Sequence, residues 1–385
     1  MLYRKFGKSG REVSNLGFGC MRLPLKSSCL NGADPPPECI DEERSIELIR
    51  CAIDQGVNYF DTAYPYHLGN SEPLLGKAVM GQRDRIMLAT KLPPWLVQNR
   101  DSFDAFLGEQ LGKLGVSYLD FYLVHALDRH SWPRMKDLGI LDFLERIVVE
   151  GRVHYVGFSF HDDLKTFKEI VNSYDWDMCQ IQYNYFDRDS QAGKEGLEYA
   201  ASKDLGIAVM EPLRGGMLTN KIPSEVQAIW DSAPEKKSPA EWALRWLWNH
   251  PQVGIVLSGM NSGEQLQENL RIAGDARPNS LSTEELAIID QVTDAYRQLY
   301  KVPCSSCGYC LPCPQGVNIP RNFGLYNDVF LFDSLKISRE VYNQYFPEPE
   351  RASNCIECGE CEQLCPQHIS IIEKLKNVHK MLGPE

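Results

Sequence analysis

Eight short apolar runs, each followed by a helical stretch, fill the chain from about residue 14 to residue 275. They are SNLGFG (14–19), VNYF (57–60), RIMLATK (85–91), LDFYLVHA (119–126), VHYVGFS (153–159), MCQIQYN (178–184), GIAVMEP (206–212) and VGIVLSG (253–259). Strands that alternate with helices argue a parallel sheet. Eight such units over roughly 250 residues are the size of a closed (β/α)8 TIM barrel, an α/β fold. A doubly wound open sheet is the rival, and the eight-fold count favours the barrel.

The chain has 385 residues, too many for one small core. One large domain with an appendage is expected: a barrel over 1–281, a linking helix over 282–300 and a small, mainly helical domain over 301–385. Residues 1–13 read as a hairpin with the turn GKSG, closing the bottom of the barrel. PLKSSCLNGADPPPECID (24–41) reads as an insertion on the top face, where barrel active sites lie. STEELAIIDQVTDAYRQLY (282–300) reads as a helix opened by a capping box, Ser282 with Glu285.

Cysteine usage separates the appendage from the barrel. Of thirteen cysteines, eight fall in two tight runs at the C-terminal end. The others (Cys20, Cys29, Cys39, Cys51, Cys179) are scattered, and Cys29 and Cys39 read as ordinary thiols. Clustered cysteines in a reducing compartment read as metal ligands. The second run is Cys355-x2-Cys358-x2-Cys361-x3-Cys365-Pro366, and the first is Cys304-x2-Cys307-x2-Cys310-x2-Cys313-Pro314. Structural zinc favours two C-x2-C pairs separated by a loop. Three cysteines spaced by two, then a fourth before proline, twice, fit a cubane [4Fe–4S] cluster better. The runs form an internal repeat that resembles two-cluster ferredoxins, in which the fourth cysteine of each run crosses to the other cluster. That resemblance implies two [4Fe–4S] clusters, one on Cys304, Cys307, Cys310 and Cys365, the other on Cys355, Cys358, Cys361 and Cys313.

Polar residues sit at the ends of consecutive strands: Asp61 after NYF, Lys91 ending RIMLATK and His125 ending LDFYLVH, with Tyr66 five residues beyond Asp61. In a barrel these ends converge on one mouth. A lysine ammonium beside a tyrosine favours the phenolate and lowers a pKa that is ordinarily near 10. An aspartate can hold that lysine. The tyrosine can then give a proton to a carbonyl oxygen as it gains a hydride, and the histidine can orient that oxygen. Singly, Asp61 reads as a helix cap, Lys91 as an ion-pair partner and His125 as a core histidine. Jointly, at successive strand ends, they read as a site.

Residues 1–275 resemble the aldo-keto reductase family. NYFDTAYPYHLGNSEPLLGKAV resembles its aspartate–tyrosine signature, MLATK and LDFYLVH its lysine and histidine segments. The resemblance implies a catalytic tetrad of Asp61, Tyr66, Lys91 and His125, and a nicotinamide cofactor, NADH or NADPH, across the barrel mouth. It places Met21, Ser159, Gln182, Met210, Leu213, Gly215, Gly259, Glu268 and Asn269 in the cofactor site. Ser159 and Gln182 match carboxamide-binding positions, though Phe160 stands where the family usually has asparagine. Met210 stands where an aromatic usually stacks on the nicotinamide, and LRGG (213–216) matches the pyrophosphate loop. Glu268 and Asn269 match the adenine side. The lysine, serine and arginine that often clamp the 2′-phosphate fall on Gly259, Met260 and Gln265, so the usual clamp is missing.

Together these readings predict an oxidoreductase that reduces a small carbonyl, or oxidises an alcohol, and relays single electrons through its clusters to a carrier such as a ferredoxin or flavodoxin. The alternative is a regulatory aldo-keto-like barrel whose iron–sulfur module reports redox state to a protein partner; the complete tetrad favours the enzyme. A formal charge of −12 argues against nucleic acid or an anionic membrane as partner. The first residues carry no signal-peptide pattern and no apolar run reaches about 18 residues, so a cytoplasmic protein is expected.

Overall fold

The computed structural model describes residues 1–26, 39–220, 222–304, 310–365 and 367–384. The chain divides into two compact units: Met1–Gly215 with Ala240–Ser282, and Gly216–Pro239 with Thr283–Glu385.

The first unit opens with a hairpin of β1 (Tyr3–Lys5) and β2 (Glu12–Ser14), paired antiparallel. Eight parallel strands follow: β3 (Leu16–Gly19), β4 (Tyr59–Asp61), β5 (Met87–Leu92), β6 (Leu119–Leu127), β7 (Val153–Phe160), β8 (Met178–Gln182), β9 (Gly206–Met210) and β10 (Ile255–Ser258). They close in sequence order, with β10 paired to both β9 and β3. The expected barrel is present, strand for strand.

Side chains alternate between barrel interior and helix layer with a period of two. The interior is apolar low down, where Tyr59, Met87, Ala89, Phe121, Leu123, Met178, Ala208, Ile255 and Leu257 form one buried cluster. Phe6, wholly buried between β1 and β2, belongs to that cluster and plugs the bottom. Gly206 and Gly254 leave room for its ring: a Cβ on either would come within 2.7 Å of it. The expected closing hairpin therefore seals the barrel through one aromatic side chain.

Helices pack outside, several opened by the side-chain caps a barrel helix needs. Asp41 accepts from the Arg44 N–H, Asp163 from Thr166 and Ser262 from Gln265. Most of the insertion at 24–41, including Cys29, lies outside the described residues. Leu25 and Ile40 bridge its two ends. Cys39 is disulfide-bonded, which corrects the expectation of an ordinary thiol.

The second unit is helical, as expected, with helices Ser224–Ser232, Thr283–Gln298, Ile319–Phe332, Leu335–Glu340 and Ile371–Leu382. Its core includes Val302, Ile319, Phe323, Tyr342, Phe346, Leu375 and Val378. Two buried asparagines on Ile319–Phe332 pin the backbone entering each cysteine run. Asn327 accepts from the Val302 N–H at 2.9 Å and donates to the Val302 carbonyl at 2.8 Å, two residues before Cys304. Asn322 accepts from the Ala352 N–H at 3.0 Å, three residues before Cys355. A buried amide pays for its desolvation only when such bonds are made. No described helix is long and apolar enough to cross a membrane.

Candidate active site and cysteine cavity

The interior face that is apolar at Tyr59, Ala89 and Leu123 turns polar two residues further on, at Asp61, Lys91 and His125. The period of two puts these three side chains on the same inward face, one step nearer the mouth. Tyr66 comes from the loop after β4 and joins them.

Lys91 is the hub. Its Nζ donates to Asp61 Oδ1 at 2.6 Å, to the Thr62 carbonyl at 2.8 Å and to Tyr66 Oη at 3.4 Å. Burial alone would lower the Lys91 pKa, but the negative charge and hydrogen bonds of Asp61 and Tyr66 outweigh it and hold the ammonium above its ordinary value. Tyr66 departs from expectation. Burial lifts its phenol above its ordinary value, and Lys91 pulls back without cancelling the rise. Desolvation of the phenolate outweighs one ammonium that Asp61 already neutralises. At neutral pH Tyr66 therefore carries its proton.

His125 stands edge-on to Tyr66, ring centroids 6.0 Å apart, and against Trp95 at 5.2 Å. Burial first, then the charges of Lys91 and His161, push its pKa well below the ordinary value, so the imidazole is neutral. Its Nδ1 is buried and has no hydrogen-bond partner among the described residues.

Several of the expected cofactor positions lie at or just beyond the C-terminal ends of β3, β7, β8, β9 and β10, in differing environments. Ser159 is buried on β7 and accepts from the Ala126 N–H at 2.7 Å. Gln182 spends its amide elsewhere, donating to Asp187 at 3.2 Å and accepting from Gln191 at 3.0 Å. Gln180, two residues earlier on the same face, is the amide beside the tetrad. It is buried, faces Asp61 and reaches Met210 Sδ at 3.8 Å, and its Oε1 has no partner among the described residues. Sequence reasoning missed Gln180; the signal was there, since both glutamines of CQIQYN share a strand face. Met210 ends β9, and Leu213 and Gly215 follow in the loop. Asn269 donates to Ser258 Oγ at 3.0 Å on the helix Gly263–Ala273, which also carries Glu268. Met21 is half exposed after β3.

Arg22 was also missed. Its aliphatic stem covers Gly259, where a Cβ would lie 3.1 Å from the Arg22 Cβ. Its Nη2 reaches to 2.7 Å from the position a Cβ on Gly215 would take, and 3.8 Å from Glu211 Oε1. Two positions without side chains thus make room for one cation across the loops after β9 and β10.

In the second unit, Cys313, Cys355, Cys358 and Cys361 line one cavity with Cys310, Ile356 and Leu364. Cys313, Cys355, Cys358, Cys361 and Cys365 are thiols rather than disulfides. Burial, then negative charge on neighbouring Cys355, Glu362, Cys313 and Cys358, pushes the Cys361 thiol up to about 11. Cysteines of both runs thus meet around one hollow. Cys304, Cys310 and Cys365 pack on the same core, and Cys307 lies outside the described residues.

Comparison with known proteins adds two matches. The aldo/keto reductase family pattern covers residues 15–294, and that of a 4Fe-4S dicluster domain covers residues 303–370. The chain is 30% identical over 293 residues to a probable aldo-keto reductase 1 of Glycine max, covering 74% of this chain and 75% of that one. It is 27% identical over 339 residues to an L-glyceraldehyde 3-phosphate reductase of Escherichia coli O157:H7, covering 76% and 92%. The holo form of an aldo-keto reductase from Bacillus halodurans superposes with a TM-score of 0.63 at 26% identity, over 76% of this chain and 96% of that one.

Proposed function

Because the chain belongs to the aldo/keto reductase family and carries a 4Fe-4S dicluster domain, we propose that it reduces a small carbonyl compound, or oxidises the alcohol, at the barrel mouth and exchanges single electrons with a protein carrier through its C-terminal unit. The observation that carries the first half is the Lys91 ammonium bonded at once to Asp61 and Tyr66.

A bound nicotinamide would supply or accept the hydride, and the residues present fit one. The unpartnered Gln180 Oε1 offers an acceptor for a carboxamide N–H, and the Ser159 O–H offers a donor. Arg22, lying over Gly215 and Gly259, supplies the positive charge that Gly259, Met260 and Gln265 lack. The remaining work falls to this chain. Tyr66 Oη holds the proton that the carbonyl oxygen takes up. Lys91 stabilises the phenolate left behind, and Asp61 keeps Lys91 charged. Neutral His125 orients the oxygen by a hydrogen bond, without competing for the proton.

In the second unit, Cys355, Cys358, Cys361 and Cys313 are assigned to one cluster and Cys304, Cys307, Cys310 and Cys365 to the other. The cavity that Cys313 lines with Cys355, Cys358 and Cys361 also takes in Cys310, so it brings the two runs together without choosing between them. Each cluster would supply one electron at a time, the currency of a ferredoxin- or flavodoxin-type partner.

The test is anaerobic. Purified protein should contain about eight irons per chain. NADH and NADPH are added separately while the visible iron–sulfur absorbance is followed. Bleaching by either is the expected result, the two electrons of one nucleotide reducing the two clusters by one each and its proton passing to solvent. Bleaching by dithionite alone would overturn the coupling and leave the two activities separate.

A further inference from the structure

We propose that Ser159 is a positioning residue whose Oγ holds the β-bulge that aims His125 at the substrate oxygen. The inference rests on the carbonyl chemistry proposed above. Along β6 and β7 the register runs evenly to Val124↔Phe158 and resumes at Leu127↔Phe160. Three steps on β6 answer two on β7, so one extra residue is accommodated, and His125 and Ala126 together face Ser159. A bulge of this kind breaks the ladder and leaves an N–H without its regular acceptor.

Ala126 pays the conformational cost, with φ of 47° in the left-handed region that residues bearing a Cβ rarely adopt. Its N–H, the group displaced from the ladder, is taken by Ser159 Oγ at 2.7 Å. The bond is buried, Ser159 being 1% exposed, so leaving the N–H unpaired would carry the full desolvation penalty. Accepting uses a lone pair and leaves the Ser159 O–H free to donate to a second group.

The bulge matters because no hydrogen bond to Nδ1 fixes His125 among the described residues. A working histidine is commonly oriented through the nitrogen it does not use. Here Nδ1 has no partner among the described residues. The ring is aimed by its contacts with Trp95 and Tyr66 and by its own backbone, which the Ala126–Ser159 bond anchors one residue on.

The experiment compares Ser159→Ala, Ser159→Thr, Ala126→Val and Ala126→Gly in the full-length holoprotein. Three readouts are taken: 15N spectra of protein labelled at histidine, nucleotide affinity by fluorescence, and reduction of glyceraldehyde as the test carbonyl. His125→Gln assigns the His125 signal among the eight histidines. Ser159→Ala and Ala126→Val should both shift that signal and lower kcat by on the order of 10²-fold, the effect of about 1 Å of misplacement. Ala126→Val, which alters no expected cofactor side chain and keeps the Ser159 oxygen, should leave nucleotide affinity intact. Ala126→Gly, which accepts positive φ, and Ser159→Thr, which keeps the oxygen, should keep the wild-type His125 signal. A Ser159→Ala protein that binds nucleotide more weakly while His125 stays in place would overturn the proposal. Wild-type protein inactive on any carbonyl would instead count against the reductase reading, and the His125 spectra would still decide the role of Ser159.

Discussion

Lys91 Nζ and Asp61 Oδ1 lie 2.6 Å apart in a pair almost wholly removed from solvent, at 1% and 3% side-chain exposure. A buried pair of this kind adds little stability over an apolar replacement, but losing one partner strands a charge. Its value is functional: it keeps an ammonium inside the barrel, under the Tyr66 hydroxyl.

Asp61→Asn should therefore cost stability as well as activity. Unfolding by urea should show a loss of about 3–5 kcal/mol, the usual penalty for an uncompensated buried charge. A barrel unfolding at the same urea concentration as wild type would argue that Lys91 is not held charged by Asp61.

Tyr66→Phe removes only the proton-bearing oxygen. Carbonyl reduction should fall by about 10²- to 10⁴-fold, the usual worth of a positioned acid, with iron content and nucleotide affinity preserved. Undiminished reduction would sink the assignment of the tetrad.

Arg22→Met should weaken NADH and NADPH binding alike if Arg22 faces the shared pyrophosphate. A charged hydrogen bond worth about 1.5–3 kcal/mol corresponds to roughly 10- to 100-fold in Kd. Loss confined to NADPH would place Arg22 at the 2′-phosphate instead, and unchanged affinity for both would remove it from the cofactor site.

Cys313→Ser tests the crossing between cysteine runs. If Cys313 completes the set of Cys355, Cys358 and Cys361, the variant should lose about half its iron, and the electron-spin signal of one reduced cluster. Retention of both signals would assign the fourth ligand elsewhere.

His250 should make the barrel sensitive to acid. Burial, reinforced by Lys194, Arg188 and Arg4, lowers its pKa to about 4. The unfolded chain binds this proton near pH 6.5. Between those values the unfolded state holds more protons, so stability falls as pH drops from about 6.5 to about 4, and the contribution is complete above that window. In His250→Phe, whose ring can pack on Trp246 as the imidazole does, Tm should fall less steeply over that interval. Parallel Tm curves for variant and wild type would show that His250 does not drive the acid sensitivity.

The sequence by itself determined the barrel, the two cysteine runs of the helical unit and the candidate site of Asp61, Tyr66, Lys91 and His125. Each rests on short-range periodicity or spacing: strand–helix alternation, cysteines two and three apart, polar residues at three successive strand ends. Such patterns survive in one dimension because a strand repeats every two residues and a cluster loop every three. The tertiary structure decided what depends on neighbours distant along the chain. It decided the protonation of Tyr66, because burial by the surrounding barrel outweighs one nearby ammonium. It decided that Gln180 faces Asp61 while Gln182 is held by Asp187 and Gln191, since strand alternation gives both glutamines the same face and cannot rank them by depth. It brought Arg22 over Gly215 and Gly259, nearly two hundred residues or more away, because a closed sheet sets its first strand beside its last. And it paired Ala126 with Ser159 through a one-residue bulge, a shift in register between two strands that neither strand carries alone.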